Sequence, residues 1–405
     1  MSGTSSSTEK MADKNDEDGF DDSRFSKATS NRTIQCWSKV EEFSSDFYFI
    51  ALADTQLGMT QGAIDSTFLP LVGWTGEKTV EAVYEAEKEM SRLAVKYINN
   101  LQPLPAFVVV CGDLINSMPD KAKEQAAEVR DFKNIFSTLD PRIRPICLCG
   151  NHDVGDRPSP STIELYRQRF SDDYFYFWYQ GVKFFVLNTQ LYKFDENAKD
   201  LAEEQDRWLD KELLELKGLN ASKDNGVANS EGNVHDYRCC VLTHIPPFIT
   251  EQNEGDGYFP LGKEVRLNLL KRFSKHNCTH WFSGHFHRNI ENTYIDEDTG
   301  RSIECVTTAA LGGNIISDKD GDPKELNGMK ELRLDKDLSG MRFVFVRKRV
   351  MKHCYISLNT MASKYNCKEK NVCKKIDVAK LEREKFGLNV DDQDSSVRKI
   401  KKPKL

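Results

Sequence analysis

Five short segments of the chain carry side chains of the types that bind metal ions, and each segment follows an apolar run. The segments are Asp54-Thr55-Gln56, Gly112-Asp113, Gly150-Asn151-His152-Asp153, His244 and Gly284-His285-Phe286-His287. Their carboxylate, amide and imidazole groups together suit Mn, Fe or Zn, and suit Mg alone less well. A single polar residue after a strand is more often a cap than a ligand. Repetition at five places favours a metal centre.

This mixture of ligands predicts chemistry at phosphate esters. Asp113 is the natural bridging ligand, because a carboxylate can span two cations. Two cations about 3.5–4 Å apart can clamp a phosphoryl group and hold a hydroxide for in-line attack. Because a cation lowers the pKa of its bound water towards about 7, no protein base is required. A group that assists the leaving oxygen is still needed, and His152 is the candidate, with Asp153 placed to orient it.

The apolar runs that precede these segments predict strands covered on both faces. The runs span residues 47–53, 107–111, 144–149, 239–243 and 279–283. In open α/β sheets the ligand site lies beyond the carboxyl ends of the strands. Five such strand ends can therefore converge on one site.

Helices and further strands complete the predicted fold. Apolar residues at helical spacing predict helices over 78–99, 120–139, 161–170, 201–216 and 264–276. Other apolar stretches predict strands over 174–179, 182–187, 292–295, 303–308, 341–346 and 350–358. This order predicts an α/β sandwich of two mixed sheets with helices outside. The connections 57–76 and 251–259 are predicted to form lips over the site, where Trp74 and Tyr258 are expected to pack rather than to line the cleft.

Composition divides the 405 residues into a body and two tails. Residues 1–44 are rich in Ser, Asp, Lys and Asn and are predicted to be a disordered tail. The folded domain is predicted over 45–358, followed by a basic, largely flexible tail over 359–405. Residues 361–405 hold 13 basic and 7 acidic residues, whereas the whole chain has a net charge of −6. The end of this tail, 398–404, could serve nuclear import or bind an anionic surface, and a solvated tail is the simpler interpretation.

The composition also argues against several classes of protein. No apolar run approaches the about 18 residues of a membrane span, and the first thirty residues lack the apolar core of a secretory signal. Several of the 11 cysteines lie inside apolar runs, as expected of buried thiols in a reducing cytosol. The acidic body argues against nucleic-acid binding. We therefore expect a cytoplasmic protein with no membrane span, which the basic tail could bring into the nucleus.

In their order along the chain, the five segments resemble the signature of the calcineurin-like metallophosphoesterase family. The match spans residues 54–287 and implies a four-layer αββα sandwich with a dinuclear centre. The resemblance implies that Asp54, Gln56, Asp113 and His287 hold the first metal. It implies that Asp113, Asn151, His244 and His285 hold the second. The implied reaction is hydrolysis of a phosphate monoester by a metal-bound hydroxide, with His152 assisting the leaving group.

Further stretches are similar to the calcineurin-like phosphoesterase domain-containing branch of the family, which includes a cytosolic serine/threonine phosphatase. They are 111–115 with 118–119, 172–175, 244–246 and 284–289, and this resemblance extends over 47–358. It implies a phosphoprotein substrate.

Two positions depart from the family pattern. The first segment is usually Asp-x-His, whereas here it is Asp54-Thr55-Gln56. A neutral amide oxygen is a poorer ligand than imidazole, so the first metal is expected to bind more weakly or to exchange more readily. The alternative is that Gln56 binds the metal only through a water molecule. In the classical serine/threonine phosphatases an aspartate supports the catalytic histidine, and that position is Asn116 here. The chain is therefore placed outside the classical branch.

Two other functions remain open from the sequence. The same metal core can support a phosphodiesterase that acts on nucleotides or nucleic acid, and some proteins of this fold are non-catalytic scaffolds. The intact ligand set and His152 argue against a scaffold. Arg288 could contact a substrate phosphate or form a surface ion pair. The other four histidines, His235, His276, His280 and His353, are predicted to be structural or exposed.

Overall fold

Two mixed β-sheets lie face to face in the centre of the protein. The computed structural model describes residues 25, 32–59, 80–224, 237–316, 331–333, 336–348, 350–364 and 375–387. The first sheet contains β1 (Phe47–Leu52), β3 (Phe107–Val110), β4 (Arg144–Cys147), β13 (Gly340–Val346) and β14 (Met351–Ser357). The second contains β5 (Phe175–Tyr179), β6 (Val182–Val186), β7 (Arg238–Leu242), β8 (Cys278–Ser283), β9 (Ile290–Ile295) and β10 (Ser302–Thr307). Two short ribbons pair β2 (Leu101–Gln102) with β15 (Ile376–Asp377) and β11 (Asn314–Ile316) with β12 (Glu331–Arg333).

Each sheet contains a set of neighbouring parallel strands, whose carboxyl ends therefore lie at the same end of that sheet. The first sheet has the order β14-β13-β1-β3-β4, in which β1, β3 and β4 are parallel neighbours. The second has the order β5-β6-β7-β8-β10-β9, in which β6, β7, β8 and β10 run parallel. The antiparallel strands β5, β9, β13 and β14 lie at the sheet edges or beside β1.

Helices cover the outer face of each sheet. In chain order they are α1 (Val80–Asn99), α2 (Ala122–Phe136), α3 (Asn151–Val154), α4 (Pro160–Arg169), α5 (Thr189–Lys193), α6 (Lys199–Asp224), α7 (Lys263–Ser274), α8 (Leu358–Lys364) and α9 (Val378–Phe386). The helix predicted to end at residue 216 continues to 224, because an isolated glycine such as Gly218 is tolerated inside a helix. No helix in the described part of the chain is both long and apolar enough to span a membrane.

Successive side chains of β1 point to opposite faces of the first sheet, and both faces are buried, which explains why its sequence is apolar throughout. Ile50 and Leu52 face the core shared with α1 and α2, whereas Phe49 and Ala51 face the second sheet. A third core lies between the second sheet and helices α6 and α7, where Phe185 packs with residues such as Phe273. The three cores separate four layers in the order helix, sheet, sheet, helix. The predicted αββα sandwich is thus confirmed.

The N-terminal boundary predicted at residue 44 is wrong for part of that segment. Ile34 is fully buried between the two sheets, and the ring of Trp37 lies 5.6 Å from that of Phe107. Thr33 forms a bridge to Tyr176. The average composition of the segment did not predict these contacts. A few apolar residues are enough to order a polar segment when they pack onto a core that other strands already form. Residues 1–24 and 26–31 lie outside the described residues.

The C-terminal boundary at residue 359 is corrected in the same way. Strand β15 pairs in parallel with β2, and the following helix α9 buries Val378 and Leu381 against the first core. Helix α8 buries Met361 in the same core. The tail segments 365–374 and 388–405, including the basic end, lie outside the described residues.

We expect Ile34→Ala to destabilise the protein by about 2–5 kcal/mol, because it removes fully buried methyl groups between the sheets. The measurement is denaturant unfolding at equilibrium. The control is Gln35→Ala, which truncates an exposed side chain in the same segment and should leave the unfolding midpoint unchanged. Equal stability of the two variants would show that this segment is not part of the folded body.

Candidate metal centre

The strand ends are joined by backbone hydrogen bonds that continue the sheets into the turns. Asp54 N donates to Gly112 O at 3.1 Å, and Gln56 N donates to the carbonyl of Asp113 at 2.9 Å. In the second sheet, Gly284 N donates to the His244 carbonyl at 3.0 Å. Turns that are far apart in sequence are therefore held at fixed mutual distances before any ligand is considered.

Positive backbone φ angles concentrate at these turns. The angles are 48° for Asp54, 36° for Gln56, 49° for Asp113, 68° for His285 and 53° for His287. Residues other than glycine adopt this left-handed region rarely and at an energetic cost, so such strain persists only where the surrounding structure imposes it. Here it turns side chains back over the strand ends.

Asp54, Asp113 and His287 form the first group of possible metal ligands, with one ligand atom of each within 4.8 Å of the others. His287 Nε2 lies 3.3 Å from Asp54 Oδ1, while its Nδ1 faces the Gly313 carbonyl. Gln56, whose backbone N–H donates to the Asp113 carbonyl, is also buried, and its Oε1 has no hydrogen-bond partner among the described residues. A buried amide oxygen without a partner is unfavourable in itself and suits an oxygen site for a cation.

Asp113, His244 and His285 form the second group, within the same 4.8 Å limit. His244 Nδ1 lies 2.8 Å from the Cys111 carbonyl, which can only accept, so Nδ1 carries the proton. In the neutral ring, Nε2 then presents a lone pair. That atom lies 3.0 Å from Asn151 Oδ1 and 3.3 Å from Asp113 Oδ2, two further acceptors.

The oxygen and nitrogen lone pairs of these side chains thus face one another with too few N–H or O–H groups between them. The pKa values of the histidines indicate that the cluster favours a positive charge. Burial lowers the pKa of His244, but Asp113 and Asp54 outweigh it and raise this pKa to about 9. Burial likewise opposes the charged form of His287, yet Asp54 raises its pKa. The pKa of His285 is lowered well below its usual value by burial and by His244. A site of this kind fits divalent cations, whose charge would replace the protons.

Asp113 belongs to both groups, which is the arrangement a bridging carboxylate requires. Its Oδ1 accepts from the backbone N–H of His152 at 2.9 Å, and Oδ2 faces His244. Burial alone would raise the pKa of Asp113, but the charges of His244 and His152 lower it below its ordinary range. The structure therefore brings together the side chains of six residues predicted as metal ligands, Asp54, Asp113, Asn151, His244, His285 and His287. Gln56 is tied to Asp113 through its backbone N–H, and the ligation of all seven stays a prediction.

His152 lies at the rim of this cluster, in the first turn of α3. Its side chain keeps 23% of its exposure, and Nε2 lies 3.9 Å from Asp113 Oδ2. Its Nδ1 hydrogen bonds to the backbone carbonyl of Asn116. Where the classical phosphatases have an aspartate side chain, the imidazole is thus contacted by the main-chain carbonyl of Asn116.

Asp153 has a different role from the one predicted. Its carboxylate accepts from Gly150 N at 2.7 Å and from Leu114 N at 3.1 Å, so it fixes the turn rather than the imidazole of His152. Burial, reinforced by the neighbouring Asp113, raises its pKa well above the usual value. The sequence placed it beside His152, but α3 directs the two side chains differently.

Sequence reasoning also underestimated Tyr258, which was expected to pack. Its ring centroid lies 5.3 Å from that of His285. Burial raises the pKa of its hydroxyl, and the nearby Asn151 side chain lowers it. A second unforeseen group is the buried carboxylate of Glu87, which accepts from Gly58 N and Met59 N just after Gln56. No local pattern marks Glu87, because α1 presents it from a distant part of the chain. Trp74 and most of the predicted lip over 57–76 lie outside the described residues.

A third group of possible ligands, His280, Glu304 and His353, lies between the sheets away from this centre. His353 Nδ1 lies 2.8 Å from Arg342 Nη1. Since a guanidinium can only donate, Nδ1 accepts and the proton sits on Nε2, which faces Glu304 Oε1 at 3.1 Å. This is the reverse of the arrangement at His244 and His287, so we interpret the third group as a polar network.

Comparison with known proteins identifies the family of the chain. The family model described as calcineurin-like phosphoesterase matches residues 48–289. The chain is 32% identical over 339 residues to the serine/threonine-protein phosphatase CPPED1 of Bos taurus, covering 82% of this chain and 91% of that protein. It is also 32% identical to the human protein of that name, over 80% of this chain and 88% of its relative. Among solved structures, a dimetal phosphatase from Danio rerio is 15% identical with a TM-score of 0.41, covering 77% of this chain and 99% of that chain.

The chain therefore belongs to the calcineurin-like phosphoesterase family, and its chemistry is the hydrolysis of phosphoric esters. The matched residues include every segment that forms the cluster.

Gly284 provides a test of how tightly the cluster is built. A Cβ at this position would lie 2.5 Å from Asp54 Oδ2 and 2.9 Å from the Cys111 carbonyl. We expect Gly284→Ala to displace the Asp54 side chain and to reduce the bound metal, measured by elemental analysis of the purified protein. Gly218→Ala in α6 is the control, because nothing lies within 4 Å of its Cβ. Full metal content in both variants would contradict the described packing.

Proposed function

We propose that the chain is a metal-dependent phosphomonoesterase that acts on phosphoserine or phosphothreonine in proteins. The observation that carries the proposal is Asp113, which belongs to both groups of possible ligands. The protein substrate is supported by the relatives, which are named serine/threonine-protein phosphatase.

Two divalent cations fit the residues of the cluster. Asp54, Gln56, Asp113 and His287 would hold one of them, and Asp113, Asn151, His244 and His285 would hold the other. Bound cations would neutralise the charge of a phosphoryl group and supply a nucleophilic water near neutral pH. The identity of the metals is left to elemental analysis, because this mixture of ligands suits Mn, Fe and Zn alike.

In this reaction the side chains of the protein would orient the metal ligands and assist the leaving group. Asp54 and Asp113 are held by backbone N–H donors of His285 and His152, so their oxygens keep a fixed direction. His152 is placed to assist the leaving group. Because its Nδ1 is held by the Asn116 carbonyl, its Nε2 is turned towards the cluster, where it can hold a proton near a leaving oxygen.

We expect Asp113→Asn to lower the hydrolysis of p-nitrophenyl phosphate by about 100-fold or more, because the shared carboxylate is lost. Bound metal should fall in the same variant, while circular dichroism and the unfolding temperature show a retained fold. The control is Asp195→Asn, which changes an exposed carboxylate. Unchanged turnover in Asp113→Asn would show that the proposed site is wrong.

The substrate class is tested on the metal-loaded wild-type protein. It should hydrolyse p-nitrophenyl phosphate faster than bis(p-nitrophenyl) phosphate, and it should release phosphate from phosphoserine or phosphothreonine peptides. Faster cleavage of the diester would support a phosphodiesterase instead. Activity against neither ester would point to a non-catalytic member of the fold.

His152→Gln separates assistance to the leaving group from metal binding. We expect the rate with phenyl phosphate, which has a poor leaving group, to fall by about 10²–10⁴-fold. The loss with p-nitrophenyl phosphate should be smaller, and the metal content should not change. The control is His276→Gln at the end of α7, where Nδ1 only contacts the Arg272 carbonyl at 2.7 Å. An equal loss for both esters would rule out the proposed role of His152.

A further inference from the structure

Tyr258 lies on a connection that several buried groups fasten over the metal centre. This connection, residues 250–262, joins the segment after β7 to helix α7. The Glu254 carboxylate accepts from Ile249 N and Thr250 N, both at 2.8 Å. The buried guanidinium of Arg266 donates to the carbonyls of Leu261 at 2.8 Å and Gln252 at 3.0 Å. Such satisfied, buried polar contacts indicate a connection with a defined shape.

Lys193 fixes the part of the connection nearest to Tyr258. The Lys193 ammonium, at the end of α5, donates to the carbonyls of Gly257 and Pro260, which flank the tyrosine in sequence. The next residue, Phe259, is 94% buried, and its ring centroid lies 4.8 Å from that of Phe286, so this side chain also holds the connection in place. The backbone at Tyr258 is therefore held from both sides.

The Tyr258 side chain is turned towards the cluster and not into the core. It is 39% exposed, although its ring lies against the His285 imidazole with centroids 5.3 Å apart. Burial raises the pKa of its hydroxyl, whereas the nearby Asn151 side chain lowers it, which is the effect of an amide N–H that faces the phenol oxygen. A core tyrosine would be covered, whereas this one has a free surface directly beside two predicted ligands.

The orientation of Asn151 decides which group donates in that contact. Its Oδ1 faces His244 Nε2 at 3.0 Å, where a cation would lie. Only the amide N–H₂ end of Asn151 remains to face Tyr258, and against such a donor the phenol oxygen is the acceptor. The phenol proton is then available to a third group on the solvent side of the cluster.

We propose, on the basis of the phosphomonoesterase function above, that the Tyr258 hydroxyl donates a hydrogen bond to a non-bridging oxygen of the bound phosphoryl group. It makes this contact at the cation site formed by Asn151, His244 and His285. The fastened connection sets the distance, and Asn151 sets the direction of the phenol. Tyr258 is thus a substrate-binding residue for the phosphoryl oxygens, whereas His152 is assigned to the leaving group.

The test compares Tyr258→Phe with wild type after both are loaded with Mn²⁺. The variant keeps the ring on His285 and loses only the hydroxyl, so its metal content should not change. Its dissociation constant for inorganic phosphate, measured by calorimetry, should rise by about tenfold or more, as expected for a lost hydrogen bond to a charged group. Its kcat/KM should fall by a similar factor with p-nitrophenyl phosphate and with phenyl phosphate.

Tyr179→Phe is the matched control, because it removes the same hydroxyl from the β5–β6 hairpin, outside the cluster. Phosphate affinity within about twofold of wild type in Tyr258→Phe would overturn the proposal. A loss confined to phenyl phosphate would also overturn it, since that pattern belongs to a donor to the leaving group. If the wild-type protein hydrolysed no phosphate ester, the proposed function would be wrong, and the phosphate-binding comparison would still decide the role of Tyr258.

Discussion

The burial of two carboxylates beside each other is the constraint on which the rest of this structure depends. Asp54 and Asp113 are 0% and 1% exposed, respectively, and both face the same cluster of imidazoles. Charges removed from water are tolerated only when they are paired and hydrogen-bonded. Backbone N–H groups of His152 and His285 supply part of this pairing. The imidazoles, and the cations that fit between them, would supply the rest. The charge balance of the site, its metal binding and its geometry therefore depend on one another.

The sandwich keeps the two carboxylates in place because the turns at its strand ends are held rigidly. Left-handed backbone at Asp54, Asp113 and His285 would relax in an isolated peptide, but here it is held by hydrogen bonds between turns of different strands. Gly150 and Gly284 allow these turns to approach, since a Cβ at either would collide with a carboxylate of the cluster. The backbone strain is thus confined to the turns whose side chains must point back over the sheet edge.

Around this rigid centre, a more exposed rim decides what the site can recognise. His152 and Tyr258 are both partly exposed. His152 is directed by the carbonyl of Asn116, and the backbone of Tyr258 is directed by Lys193 and the connection to α7. The two residues approach the cluster from different loops. In the proposed reaction, this division would give the leaving group and the phosphoryl oxygens separate partners.

The sequence by itself determined the αββα sandwich and the composition of the centre. Apolar runs that end in Asp, Asn or His are a local signal, because a strand covered on both faces must be apolar and its end must be polar. The tertiary structure alone decided the roles of Asp153, Glu87 and Tyr258 and the inclusion of Ile34 in the core. These depend on which distant backbone N–H, ring or sheet each side chain meets, and such contacts leave no periodicity in the chain. Asp153 shows the reason most simply: its neighbour in sequence is His152, but its partners in space are Leu114 and the turn at Gly150.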